Sequence, residues 1–162
     1  LGALVLASCD SSFPGGFWAD FQPNFINDNE SDQGPYGGTR AVFWSSRTEA
    51  FIRSDVLKFA VANGWEPVDS LKVSRQQMRD WYVDRTPVFP VYFDGTIMPY
   101  SDRRLDAYSS FERRINDDLI VYRCRTGWLL LDPGTDESTQ ENGYILISRD
   151  GTQMAAYHMW GE

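Results

Sequence analysis

The stretch Tyr144-Ile145-Leu146-Ile147-Ser148-Arg149-Asp150-Gly151-Thr152-Gln153-Met154-Ala155-Ala156-Tyr157-His158-Met159 decides how the rest of the chain is read. Two apolar runs flank Asp150-Gly151, a dipeptide suited to a tight turn, so Tyr144 to Arg149 and Thr152 to Met159 are expected to pair as a β-hairpin. In that register His158 stands opposite Gly143 and shares a face with Ile145, Ile147 and Met154.

Upstream, Leu119 to Arg125 and Trp128 to Asp132 read as a second hairpin across Thr126-Gly127. That pairing places Ile120, Tyr122, Cys124, Leu129 and Leu131 on one face. Leu119, Val121, Arg123, Arg125, Trp128 and Leu130 fall on the other. Val91 to Met98 reads as a third hairpin, because Asp94-Gly95 accepts the positive φ angles of a type I′ turn. Ala41 to Trp44 is a short apolar run expected to be a strand.

Helical signals interrupt this pattern. Ser46-Arg47-Thr48-Glu49 has the form of a capping box, and Ile52, Val56, Phe59 and Ala60 follow on one stripe up to Asn63-Gly64, where glycine suits a left-handed cap. Ser74-Arg75-Gln76-Gln77 starts a second helix in the same way, with Met78, Trp81 and Tyr82 at helical spacing. Leu105, Tyr108, Phe111 or Glu112, and Ile115 suggest a third. The expected fold is α+β: an antiparallel sheet of hairpins with two or three helices packed on one face. The globular domain is expected over residues 40–162. Residues 9–39, with Pro14-Gly15-Gly16, Pro23 and Gly34-Pro35-Tyr36-Gly37-Gly38, read as a tether and irregular segment that Phe13, Phe17, Trp18, Phe21 and Phe25 pin to the domain. A recognition surface is the alternative role for those aromatics. The glycines of 34–38 let the backbone turn before the first strand, with Arg40 as an anchor.

Composition bounds the function. The chain has 162 residues, 42% hydrophobic and 15% aromatic, enough to bury a core without a disulfide or metal staple. Twenty-three acids against fifteen bases give a net charge of −8, a field that repels phosphate backbones, so nucleic acid is not expected as a partner. Thirteen of the bases are Arg, whose forked donors favour fixed networks.

The first residues carry the clearest functional signal. Leu1-Gly2-Ala3-Leu4-Val5-Leu6-Ala7-Ser8 runs apolar and uncharged into Cys9, and the chemistry turns polar at Asp10-Ser11-Ser12. Leu6-Ala7-Ser8-Cys9 resembles the lipobox of bacterial lipoproteins: an aliphatic residue, two small ones, then the cysteine that receives the lipid. The resemblance spans about ten residues. It implies that residues 1–8 end a signal peptide whose start precedes Leu1, and that Cys9 is the lipidation site. It further implies a domain tethered to the bacterial cell envelope, facing away from the cytoplasm. Two or three acyl chains satisfy the two-anchor requirement for stable membrane residence. Asp10 resembles the inner-membrane retention signal of enterobacterial lipoproteins, a rule other bacteria do not follow, so either membrane is compatible.

Catalytic signatures are sparse. His158 is the single histidine, and there is no paired-cysteine motif, nucleophile elbow, phosphate loop or dinucleotide fingerprint, so no metal or cofactor is expected. Cys124 reads as a buried small hydrophobe. Asp28-Asn29-Glu30-Ser31-Asp32-Gln33-Gly34 alternates acids as calcium loops do, but its glycine is one place late and the twelfth position is Thr39, so a solvated acidic loop is the default. The most suggestive surface is Arg123, Arg125 and Trp128, where guanidinium beside indole suits a carboxylate or aromatic ligand, or simply a stack covering the sheet. The preferred function is a non-enzymatic, lipid-anchored protein-binding domain: an assembly factor, or an immunity or inhibitor-like protein, meeting another envelope or secreted protein. A glycan- or peptidoglycan-binding module is the second reading, and a hydrolase with an unrecognised carboxylate site the third.

Overall fold

The computed structural model describes residues 14–76, 115, 117–131 and 138–161. Its centre is a six-stranded antiparallel sheet in the order β1-β2-β8-β7-β4-β3. The strands are β1 (Ile26–Gly34), β2 (Gly37–Ser45), β3 (Glu66–Val73), β4 (Leu119–Arg125), β7 (Gly143–Ser148) and β8 (Gln153–Gly161). Two short strands, β5 (Leu130–Leu131) and β6 (Ser138–Thr139), form a ribbon beside the end of β8. The fold is β-rich, with one complete α-helix among the described residues, α1 (Arg53–Ala62), where two or three were expected; Arg75 and Gln76 are also helical, at the expected start of the second. Met78, Trp81, Tyr82, the hairpin at 91–98 and nearly all of the stretch from Leu105 lie outside the described residues.

The hairpin across Asp150-Gly151 forms in the expected register. Ile147 pairs with Met154, Ile145 with Ala156, and Gly143 with His158. Asp150 holds the turn by accepting the Thr152 N–H at 2.9 Å and the hydroxyls of Ser148 and Thr152, both at 2.8 Å. Those bonds, the Thr152 N–H first, draw its carboxyl below the ordinary range.

The second hairpin does not form. β4 spans Leu119–Arg125 as expected, but it pairs with β3 and β7, while Leu130 and Leu131 turn away to β6 and β8. Each flank of β4 thus gains a longer, better-matched partner than the chain that follows it.

Residues 26–34, expected to be irregular, form edge strand β1. The polar sequence hides it because an edge strand with most residues in water needs no apolar alternation. Its ladder to β2 supplies the order, closing at Gly34 and Gly37 around the Pro35-Tyr36 tip. Asp28, Glu30 and Asp32 pair with Phe43, Ala41 and Thr39, and so line one face of a strand. Strand spacing sets them about 7 Å apart, unlike a loop wrapped round a cation.

Both faces of the central strands are covered, which is why Tyr144-Ile145-Leu146-Ile147 is apolar without alternation. On one face Val42, Trp44, Ile120, Ile145, Ile147, Met154 and Ala156 meet Val56 and Ala60 of α1 and the aromatic segment of Trp18 and Phe21. Trp18 is the hub, with ring centroids 5.4 Å from Trp65, 5.5 Å from Phe59 and 5.9 Å from Trp44. The pinning expected of Phe17, Trp18, Phe21 and Phe25 is therefore observed; Phe13 lies outside the described residues. On the opposite face Phe43, Val121, Tyr144, Leu146, Tyr157 and Met159 gather with Ile115.

The helix starts later than its sequence signal. Ser46 Oγ accepts the N–H of Glu49 at 2.9 Å, as a capping box requires, but this stabilises a turn, and α1 begins at Arg53 with Ile52 at its N-cap. Its end matches expectation. Asn63 is the C-cap, Gly64 takes φ +84°, and the Trp65 N–H returns to the Ala60 carbonyl at 3.0 Å in a Schellman closure.

Candidate functional site

At one end of the sheet, where β4 and β8 finish, three large apolar side chains stand in solvent. Tyr36 is 73% exposed, Trp128 48% and Leu129 51%. They belong to separate segments that meet around Gly161. Gly161 pairs with Gly37 on one side and Leu130 on the other, and its N–H bonds the Leu129 carbonyl at 2.8 Å. Trp160 lies beside them, its ring crossing Gly38 and tilted against His158 at 5.1 Å.

A buried polar clamp holds the Trp128 backbone. Thr126 Oγ1 receives the Trp128 N–H at 3.3 Å, and Asn142 Nδ2 donates to the Trp128 carbonyl at 2.9 Å. The Thr126 hydroxyl donates to Asn142 Oδ1, which leaves its oxygen to accept from His158 Nε2 at 3.1 Å. Thr126, Asn142 and His158 are all buried. His158 sits edge-on to Trp65 at 5.2 Å and opposite Gly143, where any Cβ would strike Thr126 and Trp65. Burial pushes its pKa down to about 3, opposed by the weaker pull of the Pro14 backbone. The imidazole is thus neutral and structural. Thr126 and His158 have the composition of a nucleophile and its base, yet both are enclosed in the core.

Beside the clamp, Arg123 and Arg125 are tied into an ion-pair network. β3 lies antiparallel to β4 with Asp69 opposite Arg123 and Glu66 opposite Arg125, after an irregularity between Pro67 and Asp69. Arg123 grips Asp69 side-on, Nε at 3.1 Å and Nη2 at 2.6 Å, and reaches Glu141 at 3.3 Å. Arg125 shares Glu141 at 3.3 Å and approaches Glu66 at 3.8 Å. The Arg123 side chain is nearly buried and that of Asp69 half exposed, and the side-on fork is the geometry that fixes such a pair most firmly.

The structure therefore places the three residues singled out from sequence at one end of the sheet, with distinct roles. The two guanidinium groups are occupied by carboxylates of the chain, and those carboxylates serve as ion-pair partners. Trp128 makes no ring contact among the described residues. The sequence reading missed Asp69, Glu66 and Glu141, which only the β3–β4 pairing brings to Arg123 and Arg125. It also missed Thr126 and Asn142, ordinary turn residues until the fold buries them. Cys124 is buried on the helix-bearing face, and burial raises its thiol pKa to about 12, with Asp69 adding to the shift. Among the described residues no three His, Cys, Asp or Glu side chains gather as a metal site, and no helix is long and apolar enough to cross a membrane.

No protein-family model, curated protein or solved structure matches the chain.

Proposed function

We propose that the chain is the globular domain of a lipid-anchored bacterial envelope protein, tethered through Cys9, that binds another protein at the Trp128 end of its sheet. One observation carries the choice of surface: Trp128 is exposed while its backbone N–H and carbonyl are both fixed by a buried network. An aromatic anchor whose backbone is already fixed loses less entropy on binding, which suits an interface hot spot. Tyr36 and Leu129 extend the apolar centre, and the Glu66–Arg125–Glu141 pairs give it a charged rim. The acids of β1 and the net charge of −8 favour a basic partner.

The test is a pull-down of tagged full-length protein from gently solubilised native membranes, wild type beside Trp128→Ala, with mass spectrometry of what co-purifies. A stoichiometric protein that falls tenfold or more with the variant supports the reading. Recovery of the chain alone, repeated after mild cross-linking, contradicts it.

A second reading is favoured by the same exposed indole, since Trp faces also stack on sugar rings. It expects retention on insoluble cell-wall material that Trp128→Ala abolishes.

A further inference from the structure

At the opposite end of the sheet, where β4 begins, the structure holds a recess of about 450 Å³. Among the described residues Arg53, Lys72 and Arg149 line it, with Asp118 as the one carboxylate and Val73 and Leu119 as apolar wall. The three cations come from three separate elements: the first residue of α1, the penultimate residue of β3 and the turn after β7. We propose that this recess binds a small organic dianion, a phosphate monoester or dicarboxylate whose carbon body rests on the apolar wall.

The charge balance is the main argument. Among the described residues, three cations against one carboxylate leave two positive charges in a chain that is otherwise strongly acidic. Asp118 does not neutralise them evenly. It is committed to Arg149 at 3.5 Å, while its other oxygen accepts the Arg75 N–H at 2.9 Å. The Asp118 carbonyl also accepts the Arg149 N–H at 2.7 Å, so Arg149 is held at the rim from both its backbone and its side chain. Arg53 and Lys72 form no ion pair among the described residues, and the nearby Asp55 is turned to Lys58 at 3.7 Å.

The shape agrees with the charge. Its volume lies within the range of small-molecule pockets, and Val73, Leu119 and Ile120 offer apolar surface beside the charged groups. Guanidinium forks match carboxylate and phosphate oxygens, and an ammonium adds a compact third charge. Two unmatched cations ask for two negative charges, and a monoanion satisfies only one.

The experiment titrates the full chain with glycerol 3-phosphate and with succinate, using acetate as the monoanion control, and follows binding by calorimetry and by amide shifts. Saturable binding of either dianion below 1 mM is expected, at least tenfold tighter than acetate. It should weaken tenfold or more in Lys72→Gln and in Arg53→Gln. Both positions are exposed, and unchanged thermal unfolding of the variants confirms that they fold. Vesicles containing phosphatidylglycerol form a separate arm. Vesicle binding that the same variants abolish, with no binding of either soluble dianion, would overturn the proposal and assign the cations to a membrane surface. Absence of saturable binding at 10 mM, or binding that the variants leave unchanged, overturns it outright.

Discussion

Thr126 Oγ1 lies 3.1 Å from Nε2 of His158, and the same oxygen receives the N–H of Trp128 at 3.3 Å. An exposed aromatic is thereby connected through one hydroxyl to an imidazole enclosed in the core. That connection, the surrounding core and the proposed lipid anchor each lead to a measurable outcome.

The first is a pH dependence. An unfolded histidine titrates near 6.5, and burial holds His158 at about 3 in the fold. Between those values the unfolded chain binds the proton and the folded chain does not, so stability falls as pH drops from 6.5 towards 3 and is constant in this respect above 6.5. The full loss is on the order of 5 kcal/mol. Urea midpoints at pH 7, 5 and 4 should fall progressively, and His158→Gln should flatten the curve relative to wild type in that window. Parallel curves would remove His158 as the cause.

Thr126→Val tests the clamp. It strands the Asn142 oxygen and the Trp128 N–H, and should cost about 1–3 kcal/mol by chemical denaturation. Partner affinity should fall too, although the Trp128 side chain is intact. Lost stability with undiminished affinity would separate the clamp from binding.

Trp18 and Trp128 should diverge. Trp18→Ala empties the centre of an aromatic cluster and should destabilise by about 3–5 kcal/mol, whereas Trp128→Ala should stay within about 0.5 kcal/mol of wild type. Thermal melts of the two variants provide the comparison.

Cys124 should be inert while the chain is folded. Its thiol is fully buried and titrates at about 12, so little thiolate exists at pH 8. Maleimide labelling mapped by peptide mass should modify Cys124 only in denaturant, and rapid native labelling would contradict its placement.

Cys9 should carry the lipid. Alkyne-palmitate fed to cells should label the wild type, whereas Cys9→Ser should be unlabelled and released from membranes.

What the sequence disclosed follows from what is local. The Asp150-Gly151 hairpin is set by neighbours in the chain, so its register, including His158 against Gly143, was legible in advance. The α1 terminus at Gly64 was legible for the same reason. Pairing between distant segments was not. Arg125 is followed by a good turn and an apolar run, yet β4 takes its partners from Glu66–Val73 and Gly143–Ser148, choices that depend on the whole sheet. β1 escaped notice because its polar residues record exposure to water while its order comes from the ladder to β2.

The candidate site was half visible for the same reason. Arg123, Arg125 and Trp128 stood out by residue type, and alternation along β4 put both arginines on one face. Their acidic partners arrive from β3 and from the approach to β7, and Asn142 reaches Trp128 only after the sheet has closed. The basic recess left no trace in sequence, since Arg53, Lys72 and Arg149 are scattered through the chain.

The most direct measurement places a photo-crosslinking amino acid at position 128 in the full-length, membrane-borne protein, and a second at the exposed position 47 near the opposite end of the sheet. Irradiation in native membranes should give one discrete protein adduct from position 128 and none from position 47. No adduct from 128, or the same adducts from both positions, would contradict the assignment of the Trp128 end as the binding surface.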